Sequence, residues 1–171
     1  MTLVYLNVGS NTARTDHICA GLDALQAQFG ALELSSVYES EALGFSGDRF
    51  YNLAVAVYTD MPVVELASWL RQLEYSKGRE PGAERFSPRN LDIDILCYAD
   101  KVGCIAGVEL PRPEILENAH VLGPLAELVP TALHPVAGLC YAQLWADYAS
   151  RQNVWRVDFE WQDRQISSAE T

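Results

Sequence analysis

The sequence predicts an α+β fold in which helices pack on a mostly antiparallel sheet. With 171 residues and 49% hydrophobic content, the chain is large and apolar enough for a core that buries about two thirds of the unfolded surface. Strand and helix patterns alternate in the order βαββα over the first half, without a regular βαβ repeat. The first turn has neither a dinucleotide-binding glycine pattern nor a P-loop, which disfavours a doubly wound parallel sheet.

The first predicted unit is a strand followed by a helix. Residues 3–8 are an apolar run rich in strand-forming residues, and Gly-Ser-Asn at 9–11 is typical of a turn. Thr15 or Asp16 can cap the helix, and Gly30 can end it. Its apolar positions at helical spacing, which predict the buried face, are Ile18, Leu22, Leu25 and Phe29.

Two further strands and a second helix follow. Residues 32–38 predict the second strand, residues 39–49 a loop, and the strongly apolar residues 50–58 the third strand. Pro62 suits the first turn of a helix that ends near Gly78. One face of this helix carries Val63, Leu66, Leu70 and Leu73.

The rest of the chain predicts one more strand and a mixed C-terminal part. Residues 80–90 contain two prolines and a glycine, which indicate a loop, whereas residues 91–96 alternate apolar and acidic side chains. Short helices are expected at 118–129 and 141–150, and alternation over 155–161 indicates a half-buried strand. The element order therefore favours a ferredoxin-like α/β sandwich.

Composition and charge exclude several classes of protein. The formal net charge of -11 opposes broad contact with nucleic acid or an anionic membrane, whose phosphates must be matched by cations. The N-terminus lacks the pattern of a signal peptide, and no apolar run reaches the roughly 20 residues of a membrane span. We expect a cytoplasmic monomer with a single domain over residues 1–171. The cysteines lie at no metal-binding spacing and are expected to be free thiols, mostly buried: Cys19, Cys97, Cys104 and Cys140.

Two acidic side chains are the first candidates for chemistry. Asp92 and Asp94 alternate with apolar residues, so they would lie about 6 to 7 Å apart on one side of the predicted strand. A divalent cation would relieve their mutual repulsion, and Mg²⁺ commonly takes one or two carboxylates together with substrate phosphates. The alternative from spacing alone is an edge strand with a solvated acidic face.

A basic segment precedes these acids. Residues 71–89 hold five cationic and three acidic side chains in an otherwise acidic protein. Arg79 directly precedes the predicted loop, and Arg85 and Arg89 fall in it. Because guanidinium groups bind phosphate in a planar fork, metal and arginines together would surround a polyphosphate. A surface loop with incidental charge is the alternative.

An amide inside an apolar strand is the third unusual placement. Asn52 needs hydrogen-bond partners if it is buried, and it can offer both a donor and an acceptor to a heterocycle. Phe50 would supply a ring that stacks on such a ligand. An amide satisfied by neighbouring backbone explains the same pattern.

Residues 85–96 carry the motif RFSPRNLDIDIL, which resembles the signature R-W-G-P-R-T-L-D-L-D-I of the 6-hydroxymethyl-7,8-dihydropterin pyrophosphokinase family. The arginines and aspartates coincide with the family's, as do the proline and leucine between them. Further similarity follows the family's order over residues 3–130, at Val8-Gly9-Ser10-Asn11, Leu43-Gly44, Phe50-Tyr51-Asn52, Leu73-Glu74, Gly78-Arg79 and Val121-Leu122-Gly123-Pro124-Leu125.

The resemblance implies a function and a set of site residues. The family transfers a pyrophosphoryl group from ATP to the hydroxymethyl group of the reduced pterin, with two Mg²⁺ ions, and releases AMP in folate biosynthesis. By the resemblance, Asp92 and Asp94 hold the metals. The phosphates of ATP are contacted by Arg79, Arg85 and Arg89, with Glu74 on the nucleotide side; the residues expected to be catalytic are Arg79, Arg89, Asp92 and Asp94. The pterin is contacted by Leu43, Phe50, Asn52 and His120.

The sequence also departs from the family's usual residues, mostly on the nucleotide side. Pro81 stands for a basic residue, Phe86 for tryptophan, Arg112 for histidine, Asn118 for arginine and His120 for an aromatic ring that would stack on the pterin. These changes motivate a second hypothesis, a protein that binds a pterin or a related heterocycle without pyrophosphoryl transfer. A third is a related kinase that acts on a different hydroxymethyl heterocycle.

Overall fold

The computed structural model describes residues 1–41, 48–78, 90–148 and 152–169, which are built around one antiparallel sheet. Its strands are β1 (Thr2–Ser10), β2 (Glu33–Leu34), β3 (Tyr38–Ser40), β4 (Phe50–Thr59), β5 (Asp92–Tyr98) and β8 (Val154–Arg156). The order is β5-β1-β4-β3-β8, and β2 also pairs with β4. Two hairpins lie outside it: β6 (Gly103–Ile105) with β7 (Val108–Leu110), and β9 (Phe159–Trp161) with β10 (Arg164–Ser167). The predicted α+β class is confirmed.

Helices pack on both faces of the sheet. They are α1 (Arg14–Phe29), α2 (Val63–Ser76), α3 (Glu114–Glu117), α4 (Ala119–Leu128) and α5 (Tyr141–Ala146). Side chains of α1 and α2 form one core with alternate residues of β1 and β4, among them Val4, Leu6, Val8, Leu53, Val55 and Val57. Since successive strand residues point to opposite faces, the residues between them face α4 and α5.

The contact between α4 and α5 depends on a small residue. A Cβ atom at Gly123 would lie 3.1 Å from the Trp145 ring, so a larger side chain would push the helices apart. The neighbouring buried side chains Val121, Leu122 and Leu125 cover the second face of the sheet. The N-terminus of α4 is thereby held over the ends of β1, β4 and β5.

Several predicted elements differ in their bounds. Strand β1 runs through the expected turn at Gly9 and Ser10, and α1 begins before both expected caps. The strand predicted at 32–38 is divided into β2 and β3. The reason lies at Ser35, whose hydroxyl accepts the backbone N–H of Ala54 at 2.9 Å and replaces a ladder hydrogen bond there.

The C-terminal strand predicted at 155–161 is also divided. Strand β8 joins the sheet beside β3, whereas β9 turns back into β10 through Gln162 and Asp163, which both have positive φ. Ser167 accepts the N–H of Val37 at 2.9 Å and thus ties the hairpin to the sheet. The hairpins and α3 had no clear signal in the sequence, and α5 is shorter than expected.

The cysteines were predicted to be free and mostly buried, and the second part is wrong. All four are free thiols, but Cys97 is buried, Cys19 and Cys140 are half-buried and Cys104 is exposed. Burial raises the pKa of the Cys97 thiol to about 11. None of the helices in the described ranges is both long and apolar enough to cross a membrane.

Candidate active site

A cavity of about 710 Å³ opens beside the ends of β1, β4 and β5, with α2 on one side and the start of α4 on the other. It brings together every predicted site residue that the structure describes: Phe50, Asn52, Glu74, Asp92, Asp94 and His120. The other predicted site residues, Leu43, Arg79, Arg85 and Arg89, lie outside the described residues, as do Pro81 and Phe86.

Strand register builds the floor of this cavity. Gly9 of β1 lies between Asn52 of β4 and Asp92 of β5. Two residues earlier, Asn7 lies opposite Asp94. Because residues in register share a face of the sheet, two amides and two carboxylates project from neighbouring strands into one space.

The two carboxylates lie on the same side of β5, as their spacing predicted. Asp92 and Asp94 are half-buried, whereas the intervening Ile93 is buried in the core on the opposite face. Arg112 lies beside this pair, with Nη2 3.4 Å from Asp94 Oδ1 and Nε 3.1 Å from Glu114 Oε2. A cationic side chain thus accompanies one of the two candidate metal ligands.

The Asn52 side chain is buried without a complete set of partners. It is 4% exposed, and its Nδ2 donates no hydrogen bond to any atom of the described residues. A Cβ atom at Gly9 would lie 2.5 Å from Asn52 Oδ1, so only glycine leaves room for this amide. An acceptor on a ligand in the cavity would satisfy the buried donor.

Glu74 is a buried carboxylate that reaches β5 from α2. It is 4% exposed, and its Oε2 accepts the backbone N–H of Ile93 at 3.3 Å. Ile93 lies between Asp92 and Asp94, so this hydrogen bond holds the strand segment that carries both acids. The structure therefore gives Glu74 a positioning role in addition to its place on the cavity wall.

His120 lies in the first turn of α4 and contacts two polar side chains. Its carbonyl oxygen accepts from Asn7 Nδ2 at 3.3 Å, and its Nδ1 lies 2.9 Å from Gln152 Nε2. Burial lowers the pKa of the imidazole, which favours the neutral form.

The described part of the cavity wall is strongly acidic. It has two guanidinium groups, from Arg71 and Arg112, against six carboxylates: Glu41, Glu74, Asp92, Asp94, Glu109 and Glu114. A polyphosphate can enter such a site only together with cations. No cluster of three or more metal-binding side chains occurs in the described ranges. A cation on Asp92 and Asp94 would therefore take its remaining ligands from substrate or water, as Mg²⁺ commonly does.

Sequence reasoning missed three contributors to this site. Asn7 had the signal that singled out Asn52, an amide within an apolar strand. In the sequence, Arg112 is only a departure from the family's usual histidine. Its ion pair with Asp94 joins separate segments of the chain, so it becomes visible only in the folded structure. Gln152 carried no signal, because its contact with His120 joins residues far apart in sequence.

The comparisons with known proteins agree with the geometry. Residues 5–130 match the family profile described as 7,8-dihydro-6-hydroxymethylpterin-pyrophosphokinase (HPPK). The 2-amino-4-hydroxy-6-hydroxymethyldihydropteridine pyrophosphokinase of Aquifex aeolicus is 34% identical over 140 residues, which cover 80% of this chain and 86% of that protein. The protein of the same name from Bacillus subtilis is 31% identical over 130 residues, covering 74% of this chain and 77% of that one.

Solved structures show the same fold. The Plasmodium falciparum HPPK-DHPS triple mutant with SDX-DHP superposes with a TM-score of 0.74 at 15% identity. The match covers 97% of this chain and 46% of that longer chain, so this chain spans less than half of it. Profile, relatives and fold agree, and the chain belongs to the HPPK family.

Proposed function

We propose that this protein transfers a pyrophosphoryl group from ATP to the hydroxymethyl group of 6-hydroxymethyl-7,8-dihydropterin and releases AMP, a step of folate biosynthesis. The observation that carries the proposal is the cavity floor, where the buried Asn52 amide lies one strand from Gly9 and two from Asp92. This arrangement places an amide that can bind a heterocycle in the same cavity as two carboxylates that can bind a divalent metal ion. Membership of the HPPK family supports the same reaction.

The pterin binds at the β4 side of the cavity in this proposal. Asn52 Nδ2 donates to an acceptor on the heterocycle, and Phe50 lies two residues away on the same strand, within reach for stacking. His120 forms part of the wall at the start of α4. Leu43 is assigned to this pocket by the family motif alone.

Asp92 and Asp94 are the residues that would hold two Mg²⁺ ions when ATP binds. The pair fits this ion because both groups are hard oxygen donors that line the cavity and leave coordination positions for phosphate oxygens. The ions would neutralise charge on the phosphates. Asp92 and Asp94 would orient the nucleotide through them, and Glu74 keeps their strand in place.

Arginines complete the nucleotide site in this proposal. Arg79, Arg85 and Arg89 contact the phosphates of ATP, as the motif at 85–96 implies, and Arg79 and Arg89 assist the transfer. Arg112 already lines the cavity beside Asp94 and adds a further guanidinium near the phosphates.

The reaction is an in-line displacement. The pterin hydroxyl oxygen forms a bond to the β-phosphorus, the bond from that phosphorus to the oxygen bridging the α- and β-phosphates breaks, and AMP leaves with the bond's electron pair. The hydroxyl proton passes to water. Orientation and charge stabilisation supply most of the acceleration in this proposal.

An assay of the purified protein with ATP, Mg²⁺ and 6-hydroxymethyl-7,8-dihydropterin tests the proposal by AMP release. Formation of AMP only when all three are present supports it. The competing hypothesis, binding without transfer, draws on the histidine at position 120 and the asparagine at 118. Calorimetry that detects pterin binding but no binding of an ATP analogue at saturating Mg²⁺ would favour that hypothesis.

We also propose that residues 1–171 form a single domain and that the protein is a cytoplasmic monomer. Strand β8 pairs with β3 in the central sheet, and Trp161 of β9 belongs to the core on the α1 side. These contacts support one folding unit that includes the C-terminal residues beyond the family match.

A further inference from the structure

Gln152 lies beyond the family match and makes two hydrogen bonds at the start of α4. Its Oε1 accepts the backbone N–H of Ala119 at 2.7 Å, and its Nε2 lies 2.9 Å from His120 Nδ1. The side chain therefore bridges the helix N-terminus and the imidazole that lines the cavity.

The first hydrogen bond determines the orientation of the amide. A backbone N–H can only donate, so the group that faces Ala119 must be the carbonyl oxygen of Gln152. The NH₂ group then faces His120. Because an amide nitrogen donates and does not accept, His120 Nδ1 is the acceptor and carries no proton.

The second hydrogen bond thus selects one form of the histidine. A neutral imidazole with an unprotonated Nδ1 carries its proton on Nε2, on the side of the ring turned away from Gln152. This N–H donates no hydrogen bond to a residue in the described ranges, although the Glu114 carboxylate acts on the ring electrostatically. A ligand in the cavity can supply one.

We propose that Gln152 is a positioning residue that holds His120 as its Nε2–H tautomer, so that the pterin pocket presents a hydrogen-bond donor at this point. This inference rests on the proposed function for the identity of the ligand. It predicts that the pocket selects a heterocycle with a hydrogen-bond acceptor, such as a ring nitrogen or carbonyl oxygen, near His120. The burial that lowers the imidazole pKa supports the same neutral form.

The tautomer is measured first, by long-range ¹H–¹⁵N NMR on the ligand-free protein. The chain has three histidines, so substitution of the other two assigns the signals. We expect a protonated Nε2 in the parent. In Gln152→Glu the carboxylate can still accept from Ala119 but cannot donate to Nδ1, so Nδ1 becomes protonated. A parent protonated at Nδ1, or His120 signals unchanged in Gln152→Glu, would overturn the inference.

A double-mutant cycle on pterin affinity tests the role in binding. Gln152→Ala is expected to weaken pterin binding about tenfold in the parent, the value of a lost hydrogen bond, and to have no effect in a His120→Phe background. An effect exerted through Ala119 alone would be equal in both backgrounds and would refute the positioning role, as would full affinity in Gln152→Ala.

A matched control tests whether the effect on binding is specific to position 152. Gln165→Ala removes the same type of side chain from β10, which contributes no residue to the described part of the cavity, and should leave pterin affinity unchanged. A parent that binds no pterin overturns the proposed function and the binding role of Gln152, whereas the NMR measurement decides the tautomer independently.

Discussion

Gly9 of β1 lies directly opposite Asn52 of β4, and a Cβ atom on Gly9 would come 2.5 Å from Asn52 Oδ1. The absence of a side chain at position 9 is therefore what allows the Asn52 amide to approach β1 this closely. Asp92 is the partner of Gly9 on the other side. A residue without a side chain thus separates the Asn52 amide from Asp92 on the floor of the cavity.

Gly9→Ala is expected to displace the Asn52 amide and weaken pterin binding about tenfold, with a loss of stability of about 1 to 3 kcal/mol. Calorimetric titration and urea unfolding measure the two effects. The double variant with Asn52→Ala should bind no more weakly than the weaker of the two single variants, since both act on the same group. Additive losses would show that Gly9 acts independently of the amide.

Asp94→Asn is expected to lower AMP formation by at least about a hundredfold, because it removes charge from the pair that would orient the metal and also an ion-pair partner of Arg112. The thermal midpoint should change little, since the side chain is half-buried. Asp100→Asn, in the exposed turn after β5, is the matched control and should retain full activity. An Asp94→Asn protein as active as the parent would remove Asp94 from the proposed site.

Glu74→Ala is expected to lower the free energy of unfolding by about 1 to 3 kcal/mol, because the buried N–H of Ile93 loses this acceptor. Glu74→Gln keeps an amide oxygen at this position and should restore most of the loss. Urea unfolding compares both with Glu65→Ala, an exposed carboxylate on the same helix. Equal stability of the alanine and glutamine variants would contradict the positioning role.

The environment of His134 predicts how the free energy of unfolding depends on pH. Burial lowers the pKa of His134 below its ordinary value of 6.5, and its Nδ1 accepts the N–H groups of Val136 and Ala137 at 3.2 and 3.0 Å. The unfolded chain therefore binds a proton more readily than the native state, so the stabilising contribution is full above pH 6.5 and is lost as the pH falls.

The test is the urea-unfolding free energy of the parent and His134→Asn at pH 7.5 and pH 5.5. Asparagine can offer an oxygen to the same two N–H groups but does not titrate, so the variant should lose less stability at the lower pH. His120, whose pKa is lowered in the same direction, accounts for part of the remaining dependence. Equal losses in the two proteins would show that His134 does not contribute.

Elements with strong local patterns were predictable. Residues 50–58 form β4 almost as expected, since a continuous apolar run suits a central strand covered on both faces. The common side of Asp92 and Asp94 followed from the two-residue period of a strand. Elements that depend on distant partners were not predictable: Ser35 divides a strand through Ala54, and Ser167 secures the β9–β10 hairpin through Val37.

The candidate site also has features that the sequence predicts and features that depend on tertiary contacts. Sequence alone determined which residue types are present, namely two alternating acids, an amide in an apolar strand and a family motif, because these are properties of neighbouring positions. Only the tertiary structure decided that Gly9 lies against the Asn52 amide, that Arg112 lies beside Asp94 and that Gln152 contacts His120. Those contacts join residues from separate elements, which come close together only in the packed tertiary structure.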